Sequence, residues 1–187
     1  MTAGGFAVGM LTSFGQAVLP FEMASLANSA GAWSLAAFLL CLCNAVPSRG
    51  LLLGFLALAG MLAGYFVATE LRGFPTGRSL VLFWGVAAIV VGPVLGVGAA
   101  WVRGTERRRV AAGAAAIAGI LVGEGAYGLT IVAGTTSPVY WALQVVLGLG
   151  IVIWLSATRL REPASIALCI VLTAVVAAAL YLAYSSL

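Results

Sequence analysis

Five carboxylates and nine guanidiniums are the only charged side chains in this sequence: Glu22, Glu70, Glu106, Glu124 and Glu162 against Arg49, Arg72, Arg78, Arg103, Arg107, Arg108, Arg109, Arg159 and Arg161. There is no His, Lys or Asp. That inventory removes several chemistries. Zinc hydrolysis and haem ligation lack their usual imidazole, and a Ser–His nucleophile cannot be assembled. An Asp-rich magnesium site cannot exist. Cys41, Cys43 and Cys169 are odd in number, which argues against a disulfide framework, and a CxC pair without His or Asp is a poor metal site. All three are expected to be packing residues, and neither a metal nor a cofactor is expected. Proton donation and removal by Glu remain, with aromatic faces able to hold an apolar or cationic species.

These groups must be positioned by apolar elements. Of 187 residues, 63% are hydrophobic and only 7% are charged, against roughly 25% charged in an ordinary soluble domain. Continuous apolar runs of about 20 residues fit membrane-spanning helices; a barrel would alternate apolar and polar positions. The expectation is an all-α, polytopic transmembrane bundle of about seven helices forming a single domain over residues 1–187. Spans are expected near 3–20, 31–47, 50–71, 79–102, 110–133, 138–157 and 163–186, with Pro, Gly and Arg punctuating the breaks. The FEMASLANSA stretch before the short second span reads as re-entrant or interfacial. The first run lacks the positive flank of a secretory signal and is expected to be retained. Pro93 should kink the fourth span. Small-xxx-small pairs at Gly5/Gly9, Gly50/Gly54, Gly60/Gly64, Gly92/Gly96 and Gly119/Gly123 suit close helix packing. In so Gly- and Ala-rich a chain, no single pair is informative.

Charge orients such a bundle. With seven spans, the loops on the N-terminal side carry Arg49, Arg103, Arg107, Arg108, Arg109, Arg159 and Arg161, and the opposite loops carry only Arg72 and Arg78. Cytoplasmic loops are enriched in Arg and Lys, so the N-terminus is expected in the cytoplasm and the C-terminus outside. The usage of Arg, Ala, Gly and Val suggests a GC-rich bacterial source and hence a bacterial cell membrane. The basic residues form no face interleaved with aromatics, so nucleic acid is not an expected partner. The expected partners are the lipid bilayer and a hydrophobic small molecule.

Depth separates the carboxylates. Glu106 and Glu162 sit beside Arg clusters and read as surface ion pairs. Glu22 and Glu70 fall at the outer ends of spans. Glu124 lies about 15 residues into the fifth span, where a carboxyl is costly and usually marks function. Apolar surroundings there disfavour the charged form. Tyr127 is three residues on and so shares its helix face. Glu124, Glu70 and Glu22 are therefore the candidate catalytic residues. Gln16, Asn28, Trp33, Tyr65, Phe83, Trp84, Tyr127, Tyr140, Trp141, Gln144 and Tyr181 crowd the outer half and are the candidate substrate-binding residues. An aromatic belt would be roughly symmetric across the bilayer, whereas this set is not, which points to an outward pocket. Two functional classes fit. One is an enzyme that protonates an olefin or epoxide of a lipid-soluble substrate. The other, held as the alternative to that leading expectation, is a small proton-coupled transporter or substrate-capture subunit.

Two resemblances bear on that choice. Gln16 to Pro20, Leu26-Ala27-Asn28-Ser29, Trp33, Gly92-Pro93 and Gly123-Glu124 together resemble a family of small actinobacterial multi-pass membrane proteins of uncharacterised function. The size, seven expected spans, absent metal ligands and buried acids are similar to the integral membrane terpene cyclases of meroterpenoid and indole-terpenoid pathways. That second resemblance implies metal-free, proton-initiated cyclisation of a prenylated substrate by two acidic residues. The late-helix Asp of those enzymes has no counterpart here, so Glu70 and Glu124 are candidates by depth and chemistry.

Overall fold

The computed structural model describes residues 1–186, with residues 78–80 described as backbone only. The side chain of Arg78, counted above in orienting the chain, thus lies outside the described residues. Among the described residues seven α-helices follow in order: α1 Thr2–Val18, α2 Ala30–Cys41, α3 Pro47–Leu71, α4 Arg78–Arg103, α5 Arg107–Tyr127, α6 Pro138–Leu155 and α7 Pro163–Ser185. A 3-10 segment, Phe21–Ala27, precedes α2, and π turns close α5 (Gly128–Val132) and α6 (Ser156–Leu160). No strand occurs among the described residues.

Local chemistry sets the ends. Pro47, Pro138 and Pro163 occupy first turns, where the missing N–H removes no helical hydrogen bond. Ser29 caps α2 by accepting from Ala32 N at 3.1 Å, and Ser137 caps α6 by accepting from Val139 N at 3.3 Å. α3 stops at Gly73, whose φ of +80° suits a residue without Cβ. There Phe74 N donates to Thr69 O (3.1 Å) and Gly73 N to Glu70 O (2.9 Å), the paired bonds of a Schellman motif. α4 runs as one helix through Pro93.

Five helical stretches are long and apolar enough to cross a membrane, or six if the Phe21–Ala27 and Ala30–Cys41 segments, bent by 58°, act as one broken span. The expected second span, 31–47, is therefore shorter than drawn. α2 has 12 residues and α1 has 17, both under the ~20 of a full crossing. The start is as expected, where Ser29 caps α2 inside the bundle, and the shortfall is at the C-terminal end, where the helix stops at Cys41. Before Ser29 the chain covers the remaining depth as the angled 3-10 turn. Cys43 consequently lies in an exposed loop, while Cys41 and Cys169 are buried.

Every small-xxx-small pair proves to be an interface. Gly5 and Gly9 on α1 lie against the Ala57 and Met61 backbone of α3, and Gly60 and Gly64 return the contact to Thr2 and Phe6. Gly50 and Gly54 face Gly96 and Gly92 across α3 and α4, and Gly119 and Gly123 face Thr173, Val176 and Ala177 of α7. α5 packs on α2, α4, α6 and α7. Of its apolar span 56% is buried, against 11% for α7, which makes α5 the central helix and α7 a peripheral one. The perimeter is apolar, with Leu82, Val86 and Ile89 of α4 and Ile170, Val171 and Val175 of α7 exposed.

The two ends differ. At one, Arg103 donates to Leu42 O (3.0 Å) and Arg159 to Gly104 O (2.6 Å). Glu106 pairs with Arg109 at 2.7 Å and Glu162 pairs with Arg107, the ion pairs expected from sequence. At the other end Arg72 turns back to the Ser13 carbonyl and stacks over the Phe74 ring.

Candidate functional site

Glu124 stands on the central helix between two glycines. A Cβ at Gly123 would meet the Ala177 backbone of α7, and one at Gly125 would meet Val145 and the Trp141 carbonyl of α6. Both neighbours thus close in, and Glu124 is left only 4% exposed. Its carboxyl accepts four hydrogen bonds. Oε2 takes the Ser29 hydroxyl (2.6 Å), Gly31 N (2.7 Å) and Gln144 Nε2 (2.8 Å), and Oε1 takes Ala30 N (2.8 Å). Two of these donors are free N–H groups of the first turn of α2, which favour an anion by direct bonding and by the helix dipole. Ser29 Oγ also lies 3.1 Å from Gln144 Oε1, so hydroxyl, carboxyl and amide form one hydrogen-bonded cluster. A Cβ on Gly31 would run into Glu124 Oε2 and the Gln144 amide, so α2 approaches this closely only because residue 31 is glycine. Glu124 is the internal cap of a half-length helix.

Beside this cap lies a cavity of about 460 Å³. Leu58 and Leu62 of α3, Ala87 and Val91 of α4, Ile120 of α5 and Leu180 of α7 give it apolar walls. Trp33, Phe83, Trp84 and Tyr184 supply aromatic faces. A smaller chamber of about 250 Å³ adjoins it, lined by Asn28, Ser29, Tyr65 and others. The two share Ala30, Trp33, Leu62 and Trp84 as walls. Trp33 meets Tyr65 edge-on at 5.6 Å and Trp84 at 6.4 Å, and Phe83 meets Trp84 edge-on at 5.2 Å. Gln16 donates to Tyr65 Oη at 2.8 Å and to Asn28 Oδ1.

The residues singled out from the sequence fall into separate groups. Gln16, Asn28, Trp33, Tyr65, Phe83 and Trp84 gather around the two chambers. Gln144 joins Glu124. Tyr127 makes no hydrogen bond to Glu124 and stacks on Tyr184 at 5.3 Å, with Tyr181 edge-on at 6.2 Å; Tyr181 also shares a 3.2 Å hydrogen bond with Thr130. Buried Tyr140 lies beside Ser29 and Glu124 and packs edge-on against Trp141 at 4.9 Å, and Trp141 donates to Thr136 Oγ1 at 2.8 Å. The three candidate acids are not brought together. Glu22 is exposed on the 3-10 segment. Glu70 accepts from Thr76 beside a shallow groove with Phe66, Val67 and Val81. Ser29 and Gly31 complete the Glu124 site without having been candidates, although Ser29 just before an apolar run is an N-cap signal.

The fold and site define a class: all-helical proteins of long apolar helices, with a buried carboxylate capping a broken helix beside an apolar cavity. The chain belongs to a family of unknown function, DUF6518, which matches residues 1–187. No curated protein and no solved structure matches it. An uncharacterised family agrees with the first of the two resemblances; none of these findings supports the likeness to terpene cyclases.

Proposed function

We propose that this chain is a multi-pass protein of the bacterial cell membrane, N-terminus cytoplasmic, that takes an apolar small molecule from the bilayer into the cavity between α4 and α7. The cavity carries this reading: about 460 Å³ of space with almost wholly apolar walls, in a molecule whose perimeter is itself apolar. Such space suits a lipid-dissolved ligand, because its apolar atoms exchange loose contacts with lipid tails for close packing against apolar walls without exposing polar groups. Seven Arg on one set of loops against two on the other support the orientation. The test is extraction of lipophilic molecules that copurify with the wild type and with Ala87→Trp, which fills the cavity, followed by mass spectrometry. A stoichiometric apolar species retained by the wild type and lost from the variant is expected. Identical extracts from both would contradict the reading.

Acid-initiated cyclisation of a prenylated substrate is a second reading, favoured by the Trp33 and Trp84 faces on the cavity, which suit a carbocation. It needs an acid that reaches the cavity, and Glu124 is separated from it by Ser29 and Ala30. Incubation with linear prenylated substrates and their epoxides tests it. Isomeric products made by the wild type and lost in Glu124→Gln would establish the chemistry; no isomer across a broad panel would remove it.

A further inference from the structure

The smaller chamber differs from the large one in what surrounds it. Trp33, Tyr65 and Trp84 turn three aromatic rings around a space of about 250 Å³. No Arg lines either chamber among the described residues. One layer behind lies the Glu124 carboxylate, held by Ser29 and Ala30, which are themselves chamber walls. All four of its partners are neutral, and among the described residues no cation pairs with it. The α2 dipole offsets roughly half of the charge that an ionised Glu124 carries, which leaves the remainder to attract a cation.

The acceptors there are largely taken. The Ser29 hydroxyl donates to Glu124, and Asn28 Oδ1 and Tyr65 Oη both accept from Gln16. A head that donates hydrogen bonds finds few free acceptors; one that accepts them has only the Tyr65 hydroxyl hydrogen and the Asn28 amide, and an anionic head would also lie one layer from the Glu124 carboxyl. A cation that needs no hydrogen bonds, with a diffuse charge and an apolar skin, fits both the rings and the remaining charge.

Resting on the cavity reading above, we propose that the ligand is a cationic amphiphile. Its quaternary or tertiary ammonium head sits among Trp33, Tyr65 and Trp84, and its apolar chain extends past Ala30 and Leu62 into the large cavity. The test compares three radiolabelled probes of one chain length, hexadecyltrimethylammonium, hexadecanol and hexadecyl sulfate. Each is measured at trace mole fraction on protein in nanodiscs against empty nanodiscs. The cation is expected to bind saturably and about tenfold or more tighter than either other probe, the size of a desolvated cation–π contribution. Trp84→Phe, which keeps a ring, should weaken it less than Trp84→Leu. Hexadecanol binding as tightly as the cation, or hexadecyl sulfate binding more tightly, would overturn the cationic head while leaving the cavity reading in place. Saturable binding of none of the three would overturn both.

Discussion

A carboxylate as buried as Glu124 persists only where donors replace the water it has lost. Ser29, Ala30, Gly31 and Gln144 supply four, and this predicts how substitution behaves. In Glu124→Gln one oxygen becomes an NH2 that must face either Ala30 N or the three donors at the other position, so at least one donor is left opposed and unsatisfied. The expected cost is about 2–3 kcal/mol, a fall in Tm of about 5–10 °C for a chain of this length, read by thermal unfolding in detergent. Gly31→Ala should fall in the same range because its Cβ displaces the same carboxyl. An unchanged Tm for both would free Glu124 for proton chemistry and remove it as a cap. Half of this site was legible in the sequence: depth marked Glu124, and polarity marked Gln144. The other half consists of the Ser29 hydroxyl and two backbone N–H groups, all more than 90 residues away in the chain. Backbone donors leave no trace in residue type, and nothing local announces that a helix will begin in mid-bundle.

Helix boundaries were legible because Pro, Gly and Arg mark them chemically, and six of the expected spans lie close to the helices found. The second failed at its C-terminal end because an apolar run does not show where a helix stops when the loop beyond it, Leu42–Val46, is itself partly apolar. The glycine pairs carry the opposite lesson. Each was uninformative alone, yet all five lie where backbones touch. Glycines with open space around them, such as Gly85 and Gly150, could not be told from these by composition, since only the partner helix decides. This gives an internal control. Gly54→Val sets a side chain against the Gly92 carbonyl, and Gly9→Val sets one against Met61, whereas Gly85 and Gly150 have open space around them. The first two are expected to lose at least about 2 kcal/mol by overpacking and to elute as aggregates or with lowered Tm on size-exclusion and thermal assays. Gly85→Val and Gly150→Val should stay within about 0.5 kcal/mol of the parent. Equal effects across all four would deny that these interfaces hold the bundle together.

At the scale of the whole molecule, the Arg-rich end gathers the α2–α3, α4–α5 and α6–α7 loops, tied by Arg103 to Leu42 and Arg159 to Gly104. With positive charge on the cytoplasmic side, exposed Cys43 should react with a membrane-impermeant maleimide only after cells are opened, while buried Cys41 and Cys169 stay unlabelled. Labelling of intact cells would reverse the orientation. The aromatic excess in one half was legible as a pocket signal, and Trp33, Tyr65, Phe83 and Trp84 do line one. Tyr127, Trp141 and Tyr181 share the same depth but pack elsewhere, and Tyr140 stands behind the chamber beside Ser29 and Glu124, because depth fixes a level in the bundle and not a direction around it. The most direct measurement is photolabelling in nanodiscs by a phospholipid carrying a diazirine on its acyl chain, read peptide by peptide. Lateral access from the bilayer predicts adducts on inner-wall residues Leu58 and Ile120 in the wild type and in Gly85→Trp, and their loss in Ala87→Trp. Adducts confined to the perimeter, or inner-wall labelling that survives Ala87→Trp, would contradict it.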